Sequence, residues 1–168
     1  MKAVFPFLLL LCFGVIPNTE AATFQEARVS EVIQDVRLLA SKAAARQAVV
    51  NDKIGEGTAV RTGAQSRAEL TFADLTITRL GENTVFSLNQ AAREIHLDHG
   101  SVLLEVPPKG AAARVTSAAV TAAVQGGTAI FGTGPPIKFL VLEGVGTFYP
   151  NAHPEEVVTL HGGEMVMS

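Results

Sequence analysis

The chain has one cysteine, no tryptophan and one tyrosine in 168 residues. The single cysteine, Cys12, lies in an apolar leader, so the rest of the chain forms no disulfide. Packing and backbone pairing must carry its stability. The lack of tryptophan and the lone Tyr149 argue against an aromatic sugar platform. Basic charge is scarce too: 13 Lys and Arg stand against 16 Asp and Glu, a net charge of −3. That balance gives no electrostatic footprint for nucleic acid. Only one long apolar run exists, Ala3 to Ile16, and it falls short of the roughly 20 residues that span a bilayer.

That run has export-signal anatomy. Met1-Lys2 is a short positive start, Pro17-Asn18 breaks the apolar stretch, and Thr19-Glu20-Ala21-Ala22 supplies small residues for cleavage after Ala21. The expectation is a signal peptide over residues 1–21 and one domain over residues 22–168, with a periplasmic or secreted location. Leu10 and Leu11 before Cys12 do not suit an acylation site, so Cys12 reads as part of the signal core. No membrane span is expected after cleavage.

Charge is distributed unevenly. Residues 22–114 balance, whereas from Val115 onward Lys138 is alone against Glu143, Glu155, Glu156 and Glu164. This third is either a solvated acidic edge or a surface that meets a basic partner.

From Thr58 the hydrophobic period is near two, the strand signature. In Arg67–Phe72, Ala68, Leu70 and Phe72 share one face, and Glu69 and Thr71 the other. Leu75–Thr78, Thr84–Leu88 and Glu94–Asp98 repeat the alternation, and Ser101–Val106 is a strand stopped by Pro107-Pro108. Arg114–Val124 suits a buried strand pair, although its alanines permit helix, and Gly126-Gly127 is expected to break it. Gly132, Gly134, Pro135 and Pro136 mark a loop. Ile137–Leu142, Val157–Leu160 and Met165–Met167 read as further strands. Leu97–Gly100, Val141–Gly144 and Leu160–Gly163 form a weak repeat, each expected to end a strand at a turn glycine. Arg37–Val50 is ambiguous: its leucines and alanines favour helix, and the valines before it favour strand.

The run Gly57 to Asp74, containing Thr62-Gly63, Ser66-Arg67 and Asp74, resembles the signature of the FecR domain. Leu80-Gly81-Glu82-Asn83-Thr84 is similar to the family's Leu-Gly-Pro-Asn-Thr turn. Leu97–Val102 with Gly100, Val124-Gln125-Gly126 and Val141–Val145 with Gly144 resemble later elements. The likeness runs from about Val29 to Met165, with its motif core at 57–106. Three positions depart from the pattern: Gln34 and Leu75 replace glycines, and Gly127 replaces threonine. Leucine resists the positive φ of a turn glycine, so Leu75 is expected to reshape its hairpin.

The resemblance implies an all-β, solenoid-like stack of short strands, with Arg37–Val50 as strand and loop. It implies structural roles for Gly57, Thr62, Gly63, Ser66, Arg67, Asp74, Gly81, Asn83, Thr84, Gly100, Gly126 and Gly144. FecR regulators join this domain, outside the membrane, to a cytoplasmic anti-sigma segment. Here the leader opens the chain, so a stand-alone domain without that segment is expected.

No catalytic constellation stands out. His96-Leu97-Asp98-His99 puts two candidate ligands on one strand face, too few for zinc. His153 and His161 read as surface residues. Gly126-Gly127-Thr128 and Gly132-Thr133-Gly134 lack the lysine and helix of a phosphate loop. Glu82, Glu94, Asp98 and Glu105 are the available carboxylates for sugar hydrolysis. Ser66 has no nucleophile-elbow context. The expectation is a non-enzymatic envelope protein without cofactor or metal that binds a protein partner through sheet edges or loops. A structural or glycan-associated role is the alternative.

Overall fold

The computed structural model describes residues 26–89 and 94–168; the expected signal peptide and its cleavage point at Ala21 lie outside them. The strands are β1 (Ala27–Ile33), β2 (Val36–Ala40), β3 (Arg46–Gln47), β4 (Lys53–Ile54), β5 (Thr58–Thr62), β6 (Arg67–Phe72), β7 (Ile77–Leu80) and β8 (Val85–Asn89). They continue as β9 (Glu94–His99), β10 (Ser101–Val106), β11 (Ala113–Thr116), β12 (Val120–Gly132), β13 (Lys138–Pro150), β14 (Val158–His161) and β15 (Met165–Met167). The described residues contain no helix, so Arg37–Val50 is strand and loop despite its alanines.

One sheet runs β3-β2-β5-β8-β9-β11-β12-β10-β7-β6-β1-β4, with β13 paired to β12, β14 and β15. β1 and β2 lie near opposite ends of this path, yet only Gln34 and Asp35 join them. The sheet must therefore roll back until its halves face each other. One wall holds β4, β1, β6, β7 and β10; the other holds β3, β2, β5, β8, β9 and β11. The chain crosses repeatedly between walls, β1 to β2, β5 to β6, β7 to β8 and β9 to β10, which stacks short strands coil upon coil as a solenoid does. Neighbours are antiparallel except β9 and β11, which run parallel.

β12 and β13 belong to both walls. The first part of β12 pairs with β11 and the second with β10. Phe139 and Phe148, both on β13, stack with ring centroids 6.2 Å apart. Nine extended residues would separate them by roughly 30 Å, so β13 folds back between them. The fold-back lies at Gly144, opposite Gly126 and Gly127, where the β12–β13 register shifts. This corrects two expectations: Gly126-Gly127 does not interrupt β12, and Gly144 does not end β13. Both are bends inside long strands that change wall.

Alternation places the core. Ala68, Leu70 and Phe72 point inward from β6, Phe86 and Leu88 from β8, and Ile95 and Leu97 from β9. The predicted face of Leu75–Thr78 is reversed. Thr76 and Thr78 are fully buried, Ile77 is half-buried, and Leu75 is 70 % exposed. The cause is register: Leu70 pairs with Thr78, and Ala68 with Leu80, so those partners share the inward face.

Candidate interaction surface

Along one side of the roll the crossings form a ladder of corners, built from motif residues. Thr62, Ser66 and Thr84 are buried there. The Thr62 hydroxyl donates to the Gly81 carbonyl (2.6 Å) and accepts the Thr84 N–H (2.9 Å). One rung on, the Thr84 hydroxyl accepts the Ser101 N–H (3.1 Å). One rung back, Ser66 Oγ accepts the Asp35 N–H (3.0 Å), and Gly63 N–H donates to the Asp35 carbonyl (2.8 Å). Asn83 N–H reaches the Gly63 carbonyl at 3.0 Å. Each short hydroxyl satisfies backbone groups that a crossing strand removes from the sheet. Gly100 closes the next rung at φ +96°, where a Cβ would overlap Thr84. Gln34 holds φ +61° at the first corner. Arg67 is exposed at the start of β6.

The opposite side carries its own bends. Gly57 turns β4 into β5 at φ +77°. Asp74 Oδ1 accepts the Thr76 N–H (3.0 Å), which sets the turn between β6 and β7. Leu75 adopts the left-handed conformation at φ +68°, so the strain of this turn falls on the leucine. Asp74 Oδ2 and the hydroxyls of Thr76 and Thr78 are buried without hydrogen-bond partners among the described residues. An open hollow of about 450 Å³ lies beside them, lined by Leu75, Glu105, Pro107, Pro108, Glu143 and the bend glycines. A Cβ at Gly144 would overlap the Gly126 carbonyl, so the bend needs bare backbone there.

The two ends of the stack differ. At the first end, β3 and β4 have two residues each, and buried Ala48 lies between their chain segments. Arg46 grips Asp52 with two hydrogen bonds (2.7 and 2.8 Å) there, which raises the Arg46 pKa and, with the Val49 N–H, lowers that of Asp52. At the last end, β14 and β15 pair only with β13. Val157, Val158, Met165 and Met167 are about half exposed, and Leu142 and Val145 only slightly less. Register joins Met165, Leu140, Ile130 and Leu103 in one outward row across β15, β13, β12 and β10. Sequence reading overlooked this surface, although the clue was present: Ile137–Leu142 is apolar on both faces, and only one face can line the core.

Most of the corner ladder lies within the stretch that a protein-family comparison recognises. The family described as FecR protein matches residues 58–145, more than half of the chain. The chain belongs to the FecR family. No curated protein matches it. Its FecR fold is similar to two crystal structures of a candidate anti-sigma factor from Parabacteroides distasonis, at 16 % and 17 % identity. Both have a TM-score of 0.54 and cover 66 % of this chain. The likeness spans 58 % of the solved chains.

The titratable candidates of this FecR domain are spread over its surface. His96 Nε2 lies 3.1 Å from Asp98 on the predicted shared strand face, and His99 is exposed at the strand end. Glu105 and Glu69 both bind Arg79, at 3.2 and 2.8 Å, and the Glu105 hydrogen bond leads in raising the Arg79 pKa. Glu82 accepts the Gln65 N–H at 2.7 Å, within the corner ladder. These carboxylates brace strands and corners. His153, on the surface as expected, lies 3.4 Å from Glu155, and with Glu156 its donor atoms fall within 4.8 Å. All three are exposed. The Thr133 N–H donates to the Gly100 carbonyl, so Gly132-Thr133-Gly134 belongs to a corner.

Proposed function

We propose that this FecR protein is an exported interaction or sensing domain of the cell envelope, acting by binding a protein partner and not by catalysis. The observation that carries the reading is the distribution of its polar residues. The hydroxyls of Thr62, Ser66 and Thr84 and the carboxylates of Glu69, Glu82 and Glu105 are spent on corners and strands, whereas exposed apolar side chains are concentrated around β13, β14 and β15, with Ile33, Val49, Val50 and Leu75 exposed elsewhere. Export is supported by the Lys2-to-Ala21 signal anatomy. Family membership and the fold shared with a candidate anti-sigma factor favour a regulatory setting.

The test is cross-linking of the tagged protein in intact cells, with fractionation and mass spectrometry of what it carries. One dominant receptor or membrane-bound regulator supports the proposal. Cytoplasmic retention, or enrichment of wall glycan alone, refutes it.

A further inference from the structure

The hollow of about 450 Å³ beside the β6–β7 turn takes its polar row from strand register. Glu105 on β10 pairs with Thr128 on β12, and Thr128 pairs with Glu143 on β13. Both glutamates are exposed and Thr128 is half-buried, so the three share the outward face. Two strand spacings of about 4.8 Å put the glutamate backbones roughly 10 Å apart, with only the short threonine side chain between them. The bends at Gly126, Gly127 and Gly144 add no side chain to fill the gap. The rest of the lining is apolar, led by the exposed Leu75 in its strained turn and by Pro107 and Pro108.

The charge placed in this hollow selects its occupant. Arg79 binds Glu105 and Glu69 together, at 3.2 and 2.8 Å, so one guanidinium answers two carboxylates. It reaches Glu105 through Oε2, which leaves Oε1 for a second donor. Glu143 is exposed, and no cationic side chain among the described residues lines the hollow. Lys109, a near cation in sequence, is exposed in the Pro107–Gly110 turn, where the Gly110 N–H donates to the Pro107 carbonyl. An anion would meet like charge here, and a wholly apolar group would strip water from two carboxylates without replacing it. Leu142 and Val145, exposed on either side of Glu143 and Gly144, carry an apolar surface beyond the hollow, which suits an occupant that is part of a larger body. We infer that the hollow receives a lysine or arginine side chain of a partner protein. Its alkyl stem lies against Leu75 and the prolines, and its cation sits over Thr128 between the two glutamates. This inference rests on the reading of the chain as an interaction domain and adds one contact of defined place and chemistry.

The test is an NMR titration of the whole exported protein with Nα-acetyl-arginine amide, its neutral isostere Nα-acetyl-citrulline amide, and putrescine. The arginine probe is expected to shift the amide signals of Leu75, Thr128 and Gly144 and to saturate. The citrulline probe should bind at least about ten-fold more weakly, because it lacks the charge-assisted bonds to the glutamates. Binding of the arginine probe should weaken in about 0.5 M sodium chloride, where exposed charges are screened. Glu143→Gln should weaken it about ten-fold while leaving the thermal melt in place. Lys109→Ala should leave it unchanged; a marked gain would show that the chain's own lysine fills the hollow and would overturn the inference. Equal response to the arginine and citrulline probes, shifts centred elsewhere, or no shifts overturn it too. So does tighter binding of putrescine, which would assign the hollow to free amines. Should the probes fail while cross-linking in cells still captures a receptor or membrane-bound regulator, the proposed function stands and only this site falls.

Discussion

Thr62→Val removes one oxygen and keeps the shape of the side chain, which isolates the bond that locks the corner ladder. The Thr62 hydroxyl serves both the Gly81 carbonyl and the Thr84 N–H, and Thr62 and Thr84 are 2 % and 0 % exposed. Valine leaves both backbone groups unmatched where water cannot reach the Thr84 N–H. An orphaned buried group costs about 1–3 kcal/mol, and Gly81 is only half-buried, so the pair should cost roughly 2–4 kcal/mol. Thr62→Ser keeps the hydroxyl and loses one methyl, worth about 1 kcal/mol. At about 2–4 °C per kcal/mol for a domain of this size, valine should lower Tm by roughly 4–16 °C and serine by a few degrees. Urea unfolding followed by circular dichroism gives the free energies directly. A Thr62→Val protein that melts within about 2 °C of the parent, or a serine variant that loses as much as valine, would refute the assigned role.

Phe72→Ala should cost about 3–5 kcal/mol in urea unfolding, because its ring is 2 % exposed in the core; an unchanged midpoint would mean the β6 register is wrong. Gly144→Ala should destabilise by at least about 2 kcal/mol through the overlap with Gly126 and the strained φ of +84°. Gly134→Ala, with open space around it, should leave the melt unchanged or slightly raised, and equal losses at both sites would count against the bend. Leu75→Gly should stabilise by about 0.5–1 kcal/mol, as relief of left-handed strain outweighs the freedom glycine adds to the unfolded chain; a lower melting temperature would show that Leu75 contributes by packing. Asp52 has a folded pKa below its ordinary 3.8, owing first to the Arg46 hydrogen bond. Its contribution is therefore complete above that value and is lost as pH falls below it. Asp52→Asn should flatten the acid limb of the stability curve, and an unchanged limb would remove the pair from the account.

Local sequence carried much of this fold. The alternation in Arg67–Phe72 and Glu94–Asp98 named both the strands and their inward faces, because a strand between core and solvent must repeat every two residues, and Ser101–Val106 read as a strand. The prolines after Val106 and the glycines at Gly57, Gly81 and Gly100 marked turns for equally local reasons. The motif likeness around Thr62-Gly63 and Ser66-Arg67 pointed to the FecR family without showing why those residues recur. The tertiary structure supplied the reason: their hydroxyls bond to backbone at other corners, 19 to 31 residues away. It also decided the inward face of Thr76 and Thr78, which cross-strand register fixes against their own polarity. Gly126, Gly127 and Gly144 read as strand ends in sequence, since a bend between walls and a terminating turn both call for glycine. The apolar row ending at Met165 was hidden for the same kind of reason. Its members come from four strands, and only their pairing brings them to one surface.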